Sequence, residues 1–578
     1  MKSSVLTWKI GGQAGDGQQT AGLILSKLFS RKGLFIFDIS DFPSLIRSGH
    51  VTYQVSVANQ PVTAAYQQVD ILLALNQETI DYHQAELADQ ALILYDQNLI
   101  KIPPRRKKQW QILGLPLSEM SRQTGGGNLA RNIVGLGATL AAFGLDLTLA
   151  QKIIAEMFAD KGPKIVQIDH QALQLGYDYA KKNLKTTFKL SPPKNLDSNR
   201  LVVTGNEAVA LGAIAAGCKL HVHYPMSPSS SILHTLAAWA SRSGMVVKQP
   251  EDEISAINTA IGGAYVGVRA MTATSGGGFA LMTEGLALAA MTETPLVVVV
   301  SQRPGPATGL PTWSEQGDLN FVVHASHGEF PRIVLAPGDA EEAFYLTGQA
   351  FNLAEIYQLP VIILLDKYLS DSHQAFGEFD SKKITINRGQ LLSQSQLNQI
   401  KNFKRYLLTK NGISPRSLPG QKGGVYLANS DEHDEKGFSI EGWQPEMRLA
   451  QVEKRWRKLP QILADKNLPP PKLYGPKTAA LTLVGWGSVK GPVLEALKLL
   501  PQVNFLHFTA VYPLAVDKIK KGLAGTKKLI AIENNYQGQF ADLLFQQTGI
   551  KVAQKITKYS GRQFYPEEIV SELKKISK

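Results

Sequence analysis

The strongest constraint on the fold is a recurring order of short apolar strand, polar turn and helix-like segment. The runs TPLVVVVS (294–301) and LPVIILLD (359–366) are rich in β-branched residues and bounded by proline or polar residues, which is typical of buried strands. Neither run approaches the ~20 apolar residues of a membrane helix. Strands that alternate with helices in this way predict the α/β fold class.

The pattern divides the chain into three α/β domains and one connecting region. The first domain, 1–185, opens with a strand, a glycine-rich turn and a helix, as a Rossmann-like domain does. A proline-containing linker precedes the second domain, 201–375, which repeats strand–helix units. Residues 376–473 are polar and irregular and predict a loop-rich connection. The third domain, 474–578, is a small α/β unit.

The charge and cysteine content exclude several classes of protein. The net charge is +13 at a pI of about 9.4, yet basic clusters such as PPRRKK (103–108) lie between strand and helix patterns, as solvated faces do. No nucleic-acid-binding motif accompanies them, so small anionic ligands or an acidic partner suit the charge better. The single cysteine, Cys218, excludes a disulfide or a four-cysteine cluster within the chain. Without a signal-peptide layout, we expect a soluble cytoplasmic protein with no membrane contact.

A glycine-rich turn in the first domain is a possible ligand loop. Its glycines are Gly12, Gly15 and Gly17. Backbone N–H groups at such a helix start hold phosphates, but a tight turn that packs helix on strand explains the sequence equally well. The spacing is not the dinucleotide fingerprint, and Asp38 is only a weak candidate for its acidic residue. Asp16 forms a GDG triplet, but the next asparagine, Asn59, lies too far along the chain for a thiamine diphosphate motif.

Three polar loops in the second domain follow predicted strands: HYPMSPSSS (223–231), TSGGGFALMTEG (274–285) and SQRPGPATGLPTWSEQGDL (301–319). Ligands of parallel sheets bind beyond the carboxyl ends of the strands, so we expect the loops to converge on one crevice. They offer hydroxyls, bare backbone and one cation: Ser227, Ser229, Thr308, Thr312, Gly276, Gly277, Gly278 and Arg303. Arginine with serine and threonine suits carboxylate recognition, because the guanidinium fork matches two oxygens.

Two other features have ordinary structural explanations. Glu251, Asp252 and Glu253 begin the helix-like segment EDEISAINTAIGGAYVG, and acids at a helix start complement the macrodipole. The serines of 229–231 precede another helix, where a serine commonly serves as N-cap.

Taken together, the motifs resemble one family. YPMSPSSS, EDEISAINTAIGGAYVGVRA, SQRPGPATGLPT, SEQGDL and HASHGEFPRIVLAP are similar to the pyrimidine-binding α subunit of 2-oxoacid:ferredoxin oxidoreductases. GGQAGDGQQTAG and DFPSLIRSGHVTYQVSV resemble the γ subunit of these enzymes, fused in front. VGWGSVKGPVLEAL and AIENNYQGQFADLL resemble a transketolase C-terminal-like domain. The resemblance covers nearly the whole chain and implies a γ-like domain, a pyrimidine-binding thiamine-enzyme domain and a transketolase C-terminal-like domain.

The resemblance also implies roles for individual residues. Glu253 matches the glutamate that protonates the aminopyrimidine of thiamine diphosphate and so promotes deprotonation of its reactive carbon. Ser227 matches a hydroxyl position that faces the carboxylate and keto group of the substrate, and Arg303 matches the arginine that binds the substrate carboxylate. Thr312 matches a threonine linked to side-chain selectivity. The remaining positions implied to line the cofactor are Tyr224, Pro225, Ser229, Gly276, Gly277 and Gly278. The sequence departs from the family pattern at Ser227, where threonine is frequent, and at Ala307, where serine is frequent.

The chain itself carries only part of the implied active site. The resemblance implies a β subunit that brings the diphosphate-binding half, Mg²⁺ and a 4Fe-4S cluster, in an αβ or (αβ)₂ assembly, with CoA as co-substrate and ferredoxin as electron acceptor. The implied reaction converts a 2-oxoacid to acyl-CoA and CO₂. The fused γα arrangement most resembles enzymes of 2-oxoglutarate, with pyruvate or broad 2-oxoacid specificity as alternatives. A transketolase-like enzyme and a non-catalytic nucleotide-binding or scaffold subunit are the rival hypotheses.

Overall fold

The computed structural model describes residues 5–44, 49–102, 109–185, 187–190 and 200–577. The basic segment 103–108 and most of the linker before residue 200 lie outside these ranges. The chain forms two compact units: residues 1–203, 371–378 and 565–578 make the first, and residues 204–370 and 379–564 make the second. Both alternate strands with helices, so the predicted α/β class is confirmed. None of the helices described is long and apolar enough to cross a membrane.

The first unit is built on one eight-stranded sheet. Its strands are β1 (Leu6–Gln13), β2 (Phe35–Asp41), β3 (His50–Ala58), β4 (Val69–Ala74), β5 (Leu87–Asp96), β6 (Gln111–Leu115), β7 (Leu201–Val203) and β14 (Gln374–Phe376). Its α-helices are α1 (Gln18–Arg31), α2 (Gln77–His83), α3 (Leu117–Gln123), α4 (Arg131–Ala142), α5 (Thr148–Met157), α6 (Pro163–Asn183) and α21 (Pro566–Ser577).

The sheet of the first unit is mixed, with strand order β6-β5-β4-β1-β3-β2-β14-β7. Strands β1, β4, β5 and β6 pair in parallel, whereas β3, β2, β14 and β7 continue the sheet in antiparallel fashion. Two glycines let α4 and α6 touch backbone to backbone. A Cβ at Gly137 would lie 2.0 Å from the Leu173 carbonyl oxygen, and one at Gly176 would lie 1.8 Å from that of Val134. Only glycine fits such a close approach.

The second unit contains two further sheets. Its strands are β8 (Leu220–Val222), β9 (Val246–Lys248), β10 (Ala270–Thr274), β11 (Leu296–Gln302), β12 (Ile333–Leu335), β13 (Pro360–Asp366), β15 (Lys472–Tyr474), β16 (Leu481–Trp486), β17 (Val503–Phe508), β18 (Ala510–Tyr512), β19 (Lys528–Glu533) and β20 (Gln554–Thr557). Its α-helices are α7 (Gly205–Ala215), α8 (Ser230–Ser243), α9 (Glu253–Tyr265), α10 (Gly276–Leu281), α11 (Thr283–Met291), α12 (Leu319–His324), α13 (Ala340–Tyr357), α14 (Lys367–Asp371), α15 (Gln394–Leu397), α16 (Pro445–Trp456), α17 (Lys458–Ala464), α18 (Lys490–Leu497), α19 (Val516–Gly522) and α20 (Gln539–Thr548).

The two sheets of the second unit are almost entirely parallel. The order of one is β18-β12-β13-β11-β10-β8-β9, with only β18 antiparallel, and the order of the other is β15-β17-β16-β19-β20, with only β15 antiparallel. They share one apolar core, in which Val298 and Val300 of the first belong with Trp486 and Phe508 of the second. Strands buried on both faces are near-continuous apolar runs, as the sequence of β11 is.

A buried ionic cluster holds the irregular region before β15 to the rest of the second unit. Glu293 accepts hydrogen bonds from the ammonium groups of Lys454 at 2.5 Å and Lys458 at 2.6 Å. Arg405 donates to the Glu293 carbonyl oxygen at 2.7 Å. Burial opposes ionisation, but the two lysines hold the pKa of the Glu293 carboxyl well below its usual range. The carboxylate is therefore ionised and fully paired.

Candidate active site

The three polar loops predicted from the sequence lie side by side. They follow β8, β10 and β11, which are adjacent and parallel in the seven-stranded sheet. Parallel neighbours end at the same edge, so the loops after them meet there. The topology therefore places the three loops at one edge of the sheet, and a shared ligand crevice there stays a prediction.

The first loop, 223–229, contacts the third through one hydrogen bond. Arg303 Nη1 donates to the Ser227 carbonyl oxygen at 2.8 Å. The side chains of Ser227 and Pro225 are exposed and that of Tyr224 is half-buried. The bond brings the Arg303 guanidinium to the backbone of Ser227, at the exposed end of the first loop.

Ser229 faces the protein interior. Its hydroxyl donates to the Met226 carbonyl oxygen at 2.7 Å and lies 3.1 Å from Nε2 of His223, which is itself 3.2 Å from His221. Burial lowers the pKa of both histidines, that of His221 to about 3, so both imidazole rings are neutral. Ser229 occupies the N-cap position of α8, but its side chain makes no capping hydrogen bond to that helix. The hydroxyl fixes the loop from beneath.

Asn206 is a second support of the first loop, and the sequence analysis missed it. Its amide nitrogen donates to the Pro228 carbonyl oxygen at 2.7 Å and to the Ser231 hydroxyl at 2.8 Å. No local sequence signal identifies this residue, because it belongs to α7 and meets the loop only through the tertiary fold.

Glu253 is a buried acid at the first position of α9. Asp252 precedes it as N-cap and accepts from the Ser255 amide at 2.8 Å. The Oε1 atom of Glu253 is buried and, among the residues described, has no hydrogen-bond partner. Burial, with a smaller contribution from the negative charge of Asp252, raises the pKa of the Glu253 carboxyl. An acid of this kind holds a proton more readily than a solvated one and can present it to a ligand.

The glycines after β10 bring bare backbone against two acids. A Cβ at Gly278 would lie 2.4 Å from Glu253 Oε1 and 2.1 Å from the Thr274 hydroxyl. A Cβ at Gly276 would lie 2.4 Å from Asp318 Oδ2, whereas one at Gly277 would meet no protein atom within 4 Å. Gly276 and Gly278 are therefore required by close packing, and Gly277 borders open space.

The third loop is hydrogen-bonded to the loop after β19. The Gln316 amide donates to the Asn534 carbonyl oxygen at 2.7 Å, and the Asn534 amide returns a bond to Gln316 Oε1 at 3.0 Å. The Thr312 side chain is buried within this loop. Burial lowers the pKa of Arg303, although the nearby carboxylate of Asp318 opposes the effect. The guanidinium thus lies in a partly desolvated position, where an anion binds it strongly.

The polar groups of the glycine-rich turn in the first unit are largely hydrogen-bonded within the protein. Asp16 accepts from the Gln13 amide at 2.9 Å and from Arg131 at 2.7 Å, and the Ala14 amide donates to the Gly49 carbonyl oxygen. Gly15 and Gly17 have φ of +98° and +80°, and a Cβ at Gly12 would lie 2.6 Å from the Gln18 amide nitrogen. These contacts account for all three glycines as parts of a tight turn.

Asp38 has no capacity left for a ligand. Its carboxylate accepts from Ser26 at 2.8 Å, from Tyr53 at 2.6 Å and from the His373 backbone amide at 2.8 Å. The ring nitrogen Nδ1 of His373 lies 3.0 Å from the same oxygen that the amide contacts. The weak expectation that it closes a dinucleotide site is therefore wrong, because the acid is buried in the sheet and bonded on both oxygens.

Two family models cover most of the chain. The thiamine diphosphate-binding model of pyruvate flavodoxin/ferredoxin oxidoreductase matches residues 211–454, which include the three loops and Glu253. The pyruvate ferredoxin/flavodoxin oxidoreductase model matches residues 7–179 of the first unit. The chain therefore belongs to the class of oxidoreductases that have a thiamine diphosphate-binding domain.

Similar proteins define the family more closely. The alpha subunit of 2-oxoacid:ferredoxin oxidoreductase 2 from Aeropyrum pernix is 33% identical, over 98% of this chain and 97% of its own. The 2-oxoglutarate oxidoreductase subunit KorA from Mycobacterium tuberculosis is 28% identical, over 97% of this chain and 90% of its own. A structure of 2-oxoglutarate:ferredoxin oxidoreductase from Magnetococcus marinus, with 2-oxoglutarate, coenzyme A and succinyl-CoA bound, is 30% identical with a TM-score of 0.92, covering 99% of this chain and 100% of that one. The chain belongs to the 2-oxoacid:ferredoxin oxidoreductase family and is an alpha subunit, as the sequence resemblance predicted.

Proposed function

We propose that this chain, with a β subunit, catalyses the CoA-linked oxidative decarboxylation of 2-oxoglutarate. The products are succinyl-CoA and CO₂, and the electron pair released passes to ferredoxin. The proposal is carried by one observation at an edge of the seven-stranded sheet. The loops of Arg303 and Ser227 meet there, and Glu253 Oε1 lies against Gly278 of the neighbouring loop without a hydrogen-bond partner among the residues described. The substrate is favoured by the Magnetococcus marinus and Mycobacterium tuberculosis proteins, whose names specify 2-oxoglutarate.

The residues after β10 fit the pyrimidine ring of thiamine diphosphate. An aromatic ring with a basic nitrogen needs a proton donor at its edge and a surface without side chains against its face. Glu253 Oε1 is buried and lacks a partner within the described chain, and Gly277 borders open space. When bound, the cofactor would supply the nucleophilic carbon and the electron sink for decarboxylation.

Each residue of the chain would then have a separate task. Glu253 holds a proton on its carboxyl and donates it to the pyrimidine edge, which its raised pKa favours. Arg303 binds a carboxylate of the substrate, and Ser227 and Thr312 limit its position and side chain. Tyr224, Pro225 and the three glycines line the cofactor, and Ser229 supports that lining through Met226 rather than by direct contact.

The rest of the active site would come from partners. The β subunit supplies the diphosphate-binding half with Mg²⁺ and the 4Fe-4S cluster, in an αβ or (αβ)₂ assembly in the cytoplasm. A dicarboxylate such as 2-oxoglutarate needs a second cation, and we propose that the β subunit provides it.

The test is anaerobic purification of the chain from its native cells, followed by assay of viologen reduction with CoA and a panel of 2-oxoacids. A brown, cysteine-bearing partner and turnover that is fastest with 2-oxoglutarate are expected. Faster turnover with pyruvate would correct the substrate. A colourless chain without a partner and without activity would refute the enzyme assignment and favour a nucleotide-binding or scaffold subunit.

A further inference from the structure

Asp318 is a buried acid of the third loop that no step above uses. Its backbone amide donates to Gln302 Oε1 at 2.9 Å, which fixes the residue against the end of β11. Its Oδ2 atom is buried and has no hydrogen-bond partner within the part of the chain described. The same atom rests on the backbone of Gly276, where an added Cβ would lie 2.4 Å away. A buried carboxyl oxygen left unbonded is costly, so a ligand is expected to complete it.

The charges around Asp318 are few. Its own loop contributes Arg303 and Glu315, and the following helix α12 contributes His324. Helix α10 has no titratable side chain of its own, but Glu253 contacts it at Gly278. His324 is already bonded to the Asn320 carbonyl oxygen. Burial raises the pKa of Asp318 to about 6, against the opposing effect of Arg303. Burial, with a smaller contribution from the charge of Asp318, raises the pKa of Glu315 to about 7.

Among the residues described, Arg303 is the cation whose charge acts on Asp318, and the pKa values of Asp318 and Glu315 are both raised towards neutral pH. When the carboxylate of a substrate binds Arg303, a third negative charge enters the same partly desolvated space. One guanidinium cannot neutralise three carboxylates, and like charges at short range raise one another's pKa. A neutral carboxyl, by contrast, can donate a hydrogen bond to the incoming carboxylate.

We propose that Asp318 is a positioning residue that takes up a proton when a 2-oxoacid binds Arg303, so that the affinity for substrate depends on pH. This inference rests on the proposed function. The proton comes from solvent, and no bond other than that O–H bond forms. Substrate binding raises the affinity of Asp318 for the proton. Reciprocally, the substrate binds most tightly below about pH 6, where Asp318 is already protonated, and binding weakens as the pH rises.

The test is the pH profile of kcat/KM and kcat for 2-oxoglutarate, measured on the complete enzyme with its partner. We expect kcat/KM of the wild type to fall by up to about tenfold per pH unit above about pH 6, through KM rather than kcat. Asp318→Asn, which resembles the protonated side chain in shape and charge, should flatten this slope. Asp517→Asn, at an exposed acid in the first turn of α19, is the matched control and should retain it. If Asp318→Asn fails to assemble, Asp318→Ser replaces it with the same expected result.

The possible outcomes separate the two proposals. A wild-type enzyme that turns over 2-oxoacids while Asp318→Asn keeps the full slope overturns the role of Asp318 and leaves the proposed function intact. If the pH slope of kcat/KM disappears in Glu315→Gln but not in Asp318→Asn, the proton belongs to Glu315, and the role of Asp318 is overturned. An effect of Asp318→Asn on kcat alone overturns it as well. Absence of turnover with every 2-oxoacid refutes the proposed function, and the inference with it.

Discussion

Arg303 and Ser227, 76 positions apart in the chain, are joined by a hydrogen bond of 2.8 Å from the guanidinium to the serine carbonyl oxygen. The bond uses only one of the N–H donors of the Arg303 guanidinium. It also holds the loop after β8 against the loop after β11. This bond ties the two loops of the candidate carboxylate site to each other, while Asn206 supports the first loop and the loop after β19 supports the third.

Replacing Arg303 should weaken substrate binding in proportion to the hydrogen bonds lost. Arg303→Lys keeps the charge but loses the fork, and a hydrogen bond to a charged group contributes about 1.5–3 kcal/mol, so KM should rise roughly ten- to a hundredfold. Arg303→Ala should raise it further and lower kcat. Steady-state kinetics with 2-oxoglutarate measure both. Arg242→Lys, at an exposed arginine near the end of α8, is the control, and an unchanged KM in Arg303→Lys would move the carboxylate site elsewhere.

Glu253→Gln should abolish turnover without disturbing assembly. The amide has the same shape but cannot deliver the carboxyl proton, and loss of a general acid typically costs about 10²–10⁴-fold in rate. Single-turnover viologen reduction measures the loss, and co-purification with the partner checks assembly. Glu341→Gln, at an exposed acid in the first turn of α13, should behave as wild type. Full activity of Glu253→Gln would refute the thiamine role of this residue.

Gly278→Ala should displace Glu253, the acid that we propose to be catalytic. Its Cβ would lie 2.4 Å from Glu253 Oε1 and 2.1 Å from the Thr274 hydroxyl, so the carboxyl must move. We expect a large loss in kcat, together with lower thermal stability. In Gly277→Ala the new methyl group meets no protein atom within 4 Å, so its melting temperature should equal that of the wild type. Equal stability and activity of Gly278→Ala and the wild type would contradict this packing.

Glu293→Gln should destabilise the second unit. The change leaves the buried ammonium groups of Lys454 and Lys458 without a counterion, and breaking a buried pair costs about 3–5 kcal/mol. Chemical denaturation measures the free energy of unfolding, with Glu446→Gln at an exposed acid of α16 as control. Because the pKa of Glu293 is lowered on folding, its contribution is present above the unfolded pKa and is lost as the pH falls towards the folded one. A variant as stable as the wild type would show that the cluster contributes little.

Most strands and helices could be predicted because their signals are local. The buried strand β11 is a continuous β-branched run, and α9 begins after an acidic N-cap. The three polar loops were found in the same way, since polar residues directly follow apolar runs. By contrast, the three-residue strand β14 pairs with β2 and β7 of the first unit, from which it is separated by long stretches of sequence, and no local pattern predicts such pairing.

The sequence by itself determined the α/β class, the family and the residue types of the candidate site, because periodicity and motif order are properties of neighbouring residues. Only the tertiary structure decided which polar groups are satisfied. It turned Ser229 inward towards Met226, bonded Asp38 on both oxygens, and left Glu253 Oε1 and Asp318 Oδ2 without partners within the described residues. The physical reason is that burial and hydrogen bonding depend on groups far apart in the chain, and these set the pKa of an acid and its readiness to meet a ligand.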